Sequence, residues 1–179
     1  MRQGATIATL LVAVGLVVAA DATAAVAGLP CAAGPGNGDG RVRLDGQPFI
    51  GKNVFNCDGT DQRAEILNME PGGKAKFLFR YLNDSDTKRD IHLDVVALED
   101  NGGGKLIVRP RQQQPEGGGG GHTYKDVKQG ESTPAMVAKV KFRQDAQPGD
   151  TLNVGVYGAL LPNGRPTADT PFLLAAIPP

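Results

Sequence analysis

A chain of 179 residues with 19 Lys and Arg against 19 Asp and Glu has no basic excess to neutralise phosphates, so composition gives no electrostatic footprint for nucleic acid. With two histidines and two cysteines there is little material for a metal cluster, and the absence of tryptophan excludes the Cys-Trp-Cys core of an antibody domain. Met1-Arg2-Gln3 is a short basic start, followed by an uncharged apolar run from Ala5 to Ala20. Ala22-Thr23-Ala24 and Ala25-Val26-Ala27 then place small residues where a signal peptidase reads. Residues 1–24 therefore read as a secretory signal, cleaved after Ala24 or Ala27. The apolar run is shorter than the roughly 20 residues a bilayer core demands, so no membrane attachment is expected after cleavage. Cleavage removes Arg2 and Asp21 together and leaves the formal charge at zero.

What remains, roughly 150 residues, fits one domain. Residues 25–40 are rich in Gly and Pro and read as a flexible leader. After them short β-favouring runs recur, at Val42–Leu44, Phe49–Phe55 and Ala64–Met69. Glu70-Pro71-Gly72-Gly73 is a turn signal. In Lys74–Leu82, Ala75, Phe77, Phe79 and Tyr81 alternate with Lys76, Leu78, Arg80 and Leu82, the period-two mark of a half-buried strand. Asp90–Leu98 follows, with Ile91, Leu93 and Val95 facing one way and His92, Asp94 and Val96 the other. Leu106–Val108 and Thr123–Val127 are short candidates. Between them, the Gly-rich loop 109–121 holds five consecutive glycines, Gly117 to Gly121, and reads as a surface insertion without anchors.

Two strands with clear patterns close the series, Ala135–Arg143 and Thr151–Tyr157, joined by Gln147-Pro148-Gly149-Asp150 read as a hairpin. A last candidate is Phe172–Ile177. Eight or nine short strands at spacings near ten residues predict one all-β domain over residues 41–179. The expected fold is an antiparallel β-sandwich of about seven to nine strands, with a small β-barrel as the competing closure. In an oxidising compartment Cys31 and Cys57 are more often joined than free, and no C-x-x-C spacing marks a redox pair. A Cys31–Cys57 bridge closes a loop of about 26 residues and stabilises by roughly 3 kcal/mol on a chain-entropy argument.

An ordered set of short segments resembles bacterial extracellular Ig-like modules of the actinobacterial type. It runs from Arg41-Val42-Arg43-Leu44 through Gly51-Lys52-Asn53-Val54-Phe55-Asn56 and Gly59-Thr60-Asp61-Gln62 to Pro71-Gly72-Gly73 and the strand ending at Asn83-Asp84. Lys128-Gln129-Gly130-Glu131-Ser132 and Ala146-Gln147-Pro148-Gly149-Asp150 continue it, so the resemblance spans about residues 41 to 158. The Gly-rich loop and Cys57 depart from that pattern, as does the presence of one copy where tandem repeats are common. The resemblance implies that the sandwich is an Ig-like antiparallel β-sandwich in a secreted or cell-wall setting; it carries no catalytic residue.

The candidate chemistry is thin. Asp90, His92 and Asp94 share a strand face at i, i+2 and i+4, a conceivable metal triplet on what is ordinarily a solvated surface. Asn37, Asp39 and Asp45 loosely echo an EF-hand loop, but Pro35 stands where the first acidic ligand belongs. The acidic pairs Asp58 with Asp61 and Asp84 with Asp86 are explained by turn chemistry. Ser85 and Ser132 lie in turns, without a G-x-S-x-G elbow. The expected function is a secreted or cell-surface, non-catalytic structural or interaction module with a protein or cell-wall partner. No cofactor, no catalytic residue and no nucleic-acid partner are expected. The competing expectation is an extracellular carbohydrate- or calcium-binding β-sandwich.

Overall fold

The computed structural model describes residues 34–57, 59–100, 103–109, 121–161 and 169–179. The expected signal segment, Cys31, Asp58 and residues 110–120 of the Gly-rich loop lie outside them.

Nine strands are present among the described residues: β1 (Asp39–Leu44), β2 (Arg63–Ile66), β3 (Lys74–Leu82), β4 (Arg89–Asp100), β5 (Gly104–Arg109), β6 (Gly121–Val127), β7 (Met136–Phe142), β8 (Thr151–Leu161) and β9 (Phe172–Ala176). They form a four-stranded sheet in the order β1-β3-β7-β5 and a five-stranded sheet in the order β2-β9-β8-β4-β6. Among the described residues the two sheets stay separate and do not close into a barrel, which makes this a β-sandwich. All pairs are antiparallel except β2 with β9, which is parallel.

The core follows from alternation. Ala75, Phe77, Phe79 and Tyr81 of β3 are buried, as are Met136, Ala138, Val140 and Phe142 of β7. From the other sheet Ile91, Leu93, Val154, Val156 and Leu173 join them in one cluster. Fully burying each large side chain contributes about 1.5–3 kcal/mol, so this two-layer interior supplies the main driving force for folding.

Two expectations about connectivity fail. Phe49–Phe55 is not a strand; Ile50 alone bridges Val42, exchanging backbone bonds of 3.2 and 2.9 Å. The rest of that segment joins no ladder: a turn at Lys52–Asn53, with Asn53 at φ 58°, is followed by irregular chain. The turn at Gln147–Asp150 is real, with Asp150 N donating to Gln147 O at 3.0 Å and Gly149 at φ 89°. It is not a hairpin, however. β7 belongs to the four-stranded sheet and β8 to the five-stranded one, so the turn carries the chain between layers. Backbone bonds between this turn and Ile177, just past β9, hold it there. The same holds throughout: each connection from β1 to β8 changes sheet, and only β8 and β9 are sequential neighbours in one sheet. β1 begins at Asp39, inside the segment expected as leader, and Gly36 N and Gly38 N just before it donate to Asp84 at 2.8 and 2.6 Å.

Candidate functional site

β4 carries Asp90, His92 and Asp94 on its outward side, as expected, because Ile91, Leu93 and Val95 between them are buried. Asp90 and His92 are engaged with protein groups, whereas Asp94 Oδ1 and the Tyr157 hydroxyl are buried without a hydrogen-bond partner among the described residues. The Asp90 carboxylate accepts from Lys125 Nζ at 2.7 Å and from Asp126 N at 2.9 Å. These two donors hold its carboxyl below the usual carboxylate range. His92 Nδ1 lies 2.9 Å from Thr123 Oγ1, and the ring leans on the bare backbone of Gly121, where an added Cβ would fall 2.1 Å from Nε2. Asp94 faces Tyr157 across the strand pair, and burial, then the Asp94 charge, raises the Tyr157 phenol. Among the described residues no group of three His, Cys, Asp or Glu is placed to hold a metal ion. Adding millimolar Ca²⁺ or EDTA therefore leaves the melting temperature of the purified protein unmoved. A rise with Ca²⁺ would establish a site that binds only the folded state.

A second polar group is buried around β1. Asp39 is fully buried: its Oδ2 accepts from Arg41 Nη2 at 2.6 Å and its Oδ1 from Asn53 N at 3.2 Å. Asp39 is thus a brace for β1 and the 51–62 segment, not part of a cation loop. Asp169, 1% exposed, accepts from Gly40 N and from Gln62 Nε2, and Gln62 also donates to Val54 O at 2.6 Å. Its carboxyl is pushed up to about 7 by burial, against the pull of the Gly40 and Gln62 donors and with the Asp39 charge adding to the rise. A carboxyl poised near neutrality suits acid–base work. Here both oxygens are already bonded to protein and the group is closed to solvent, so its role is to fasten residues 40, 62 and 169 together. No sequence pattern pointed to Asp169.

The outward face of the four-stranded sheet was also missed by sequence reasoning. Registers place Lys105, Lys141 and Lys74 side by side across three strands. Lys139 opposes Lys76 in the next row, and Arg41 opposes Arg80 further along. With Arg43 and Arg109 on the same side, nearly half of the chain's 19 Lys and Arg stand on one surface. Two carboxylates answer them, both from the β1 side: Asp45 pairs with Lys76 at 3.0 Å and Asp39 with Arg41. Among the described residues Lys74, Lys105, Lys139, Lys141 and Arg109 have no ion-pair partner. Phe49 closes one end, its ring centroid 4.6 Å from the Arg43 guanidinium and 4.2 Å from that of Arg80. Burial, then the charges of Arg41 and Arg43, lowers the Arg80 pKa. Like charges directly opposite on adjacent strands destabilise a sheet by up to about 1 kcal/mol per pair. Departures from local rules of this kind concentrate at functional or strained sites.

No protein-family model matches the chain, and no curated protein matches it in sequence. Solved structures with a similar course include the third cohesin of ScaC in complex with the ScaB dockerin, from Acetivibrio cellulolyticus. That pair shares 7% identity at a TM-score of 0.46, over 77% of this chain and 99% of that one. A type III cohesin module of the ScaE cell-surface anchoring scaffoldin of Ruminococcus flavefaciens shares 10% at 0.46, over 79% and 88%. The collagen-binding subdomain of the Enterococcus faecalis surface protein ACE shares 8% at 0.35, over 64% and 93%. Likeness at this level assigns neither partner nor activity.

Proposed function

We infer that the chain is a secreted or cell-surface, non-catalytic Ig-like interaction module of the bacterial kind, and that it works through the outward face of its four-stranded sheet. The observation that carries this reading is the set of like-charged pairs on that face, Lys141 between Lys74 and Lys105 above all. The acids and the histidine with chemical potential support it from the other side. Asp39, Asp90, His92 and Asp169 are each bonded to neighbouring protein groups. In this reading residues 1–24 direct export, with cleavage after Ala24 or Ala27, and a Cys31–Cys57 bridge ties the mature N-terminus to the 51–62 segment.

Fractionation of the producing cells tests it. The mature chain is expected on the cell exterior, retained at about 0.1 M NaCl and released at about 1 M, where the screening length falls to roughly 3 Å. A chain that stays in the cytoplasm, or surface retention indifferent to salt, refutes the reading.

A further inference from the structure

We propose that the outward face of the four-stranded sheet binds an extended, carboxylate-bearing polysaccharide. This rests on the interaction-module reading and names its partner. The charge argument comes first. Five cationic side chains on this face have no ion-pair partner among the described residues, and four of them are lysines. Lysine presents a compact ammonium with rotatable donors, suited to single anionic groups and not to the planar two-point grip that arginine gives.

The spacing comes second. Neighbouring strands lie about 4.8 Å apart, and same-side residues along a strand lie about 6.8 Å apart. Rows of ammonium groups at that mesh meet an anionic group at each step of an extended chain. The third argument is the strip between the charges. Ile107, 38% exposed, stands beside Lys139, and Val137 lies between Arg109 and Leu78 in the next row. A sugar ring has an apolar C–H face as well as polar groups. It can rest on Ile107 and Val137 while its carboxylate meets Lys139 or Lys141.

The other polyanions fit less well. A nucleic-acid single strand stacks its bases on exposed aromatics, and Phe49 is already held between Arg43 and Arg80. A lipid surface is met by several protruding apolar groups that insert below the headgroups, whereas on this face Ile107 stands beside Lys139 and Leu78 at the centre is only 9% exposed.

The test uses the purified protein with polygalacturonate, and with the fully methyl-esterified polymer as the uncharged control. Binding to the acid form is expected, at least about ten-fold tighter than to the ester, and weakening by about ten-fold or more between 50 and 300 mM NaCl. Lys139→Glu combined with Lys141→Glu is expected to weaken it by at least about ten-fold. Because Lys141 then sits between Lys74 and Lys105 with opposite charge, this variant melts no lower than the parent. Lys125→Glu with Lys128→Glu, on the other sheet's side, is expected to bind like the parent. Equal binding by the Lys139/Lys141 variant overturns the proposal. So does tighter binding to duplex DNA, or to vesicles of anionic phospholipid, than to polygalacturonate. If the variant loses salt-sensitive surface retention while the parent ignores polygalacturonate, the glycan assignment fails and the interaction module stands. If retention itself is unaffected, both fail.

Discussion

Tyr81→Ala lowers the unfolding free energy by about 4–5 kcal/mol, close to the lower end of the whole stability of a domain this size. The reason lies in a slot that two glycines make between the sheets. Tyr81 on β3 is 1% exposed and lies directly opposite Gly40 on β1. Its ring passes over Gly158 of β8, in the facing sheet, so closely that a Cβ there would fall 2.2 Å from the ring. At Gly40 a Cβ would fall 2.9 Å from the ring and 2.7 Å from Pro171. At the end of the slot the Tyr81 hydroxyl is shared between two buried carbonyls, Val156 O at 2.8 Å and Asp169 O. Truncation to alanine leaves a cavity between the layers and strips both carbonyls of their side-chain donor. Tyr81→Phe removes only the donor and costs about 1–3 kcal/mol. The reciprocal change isolates the slot. Gly158→Ala overpacks it and costs about 2–3 kcal/mol in the parent. In the Tyr81→Ala background the ring is gone, and the cost of Gly158→Ala falls by at least about 1 kcal/mol. Urea titration of the four proteins gives the coupling, and strict additivity would show that the ring and the glycine do not share the site.

The sequence disclosed strands better than connections. β3 was readable to its ends because every second residue is apolar and turn signals bracket it, and β7 for the same reason. β8 read only as far as Tyr157, since Gly158 and Ala159 break the pattern; the strand runs on to Leu161 by pairing with β4, with Gly158 bare under Tyr81. Turn chemistry at Gln147–Asp150 names a reversal but says nothing of which sheet the chain enters next. That choice is made by Ile177 and the long-range packing of β9. Phe49 and Phe55 looked like strand residues by type, yet Phe49 is held by Arg43 and Arg80 side chains and not by a ladder.

The basic face was concealed by a sum. Net charge is zero, so the whole chain appears neutral, although the sheet sorts the signs. The signal was present in the alternation itself. Arg41 and Arg43, Lys74, Lys76 and Arg80, and Lys139 and Lys141 all repeat at two-residue steps opposite the apolar positions. Asking what lies on the outward side of each predicted strand would have exposed it. The expected Asp90, His92 and Asp94 face was legible by the same rule, but its partners on β6 were not, because Lys125 and Asp126 reach Asp90 across a register that only the fold sets.

Asp169 gives the largest pH effect. Its folded carboxyl is raised from 3.8 to about 7, chiefly by burial. Between about pH 4 and 7 the native state thus keeps a proton that the unfolded chain has already released, and stability falls as pH rises. The contribution is fully present below about pH 4 and is lost as pH passes through about 7. At 1.36 kcal/mol per unit, the loss amounts to about 4 kcal/mol in unfolding free energy. Asp169→Asn cannot ionise and removes this slope. It keeps one acceptor, but its amide nitrogen must face either the Gly40 N–H or the Gln62 amide, so at pH 5 it is less stable than the parent by about 1–3 kcal/mol. At pH 8 the parent carries a buried charge beside Asp39 and the asparagine does not, so the two curves meet or cross. Urea unfolding of both proteins from pH 5 to 8 reads this directly. An asparagine variant that loses the same stability at every pH, and so keeps the parent's slope, would place the titrating group elsewhere and reduce Asp169 to an ordinary acceptor. A crossing ties the closure of the 51–62 segment over β1 to a single proton, because the carboxyl that holds Gly40 and Gln62 is the one that must stay neutral to remain buried.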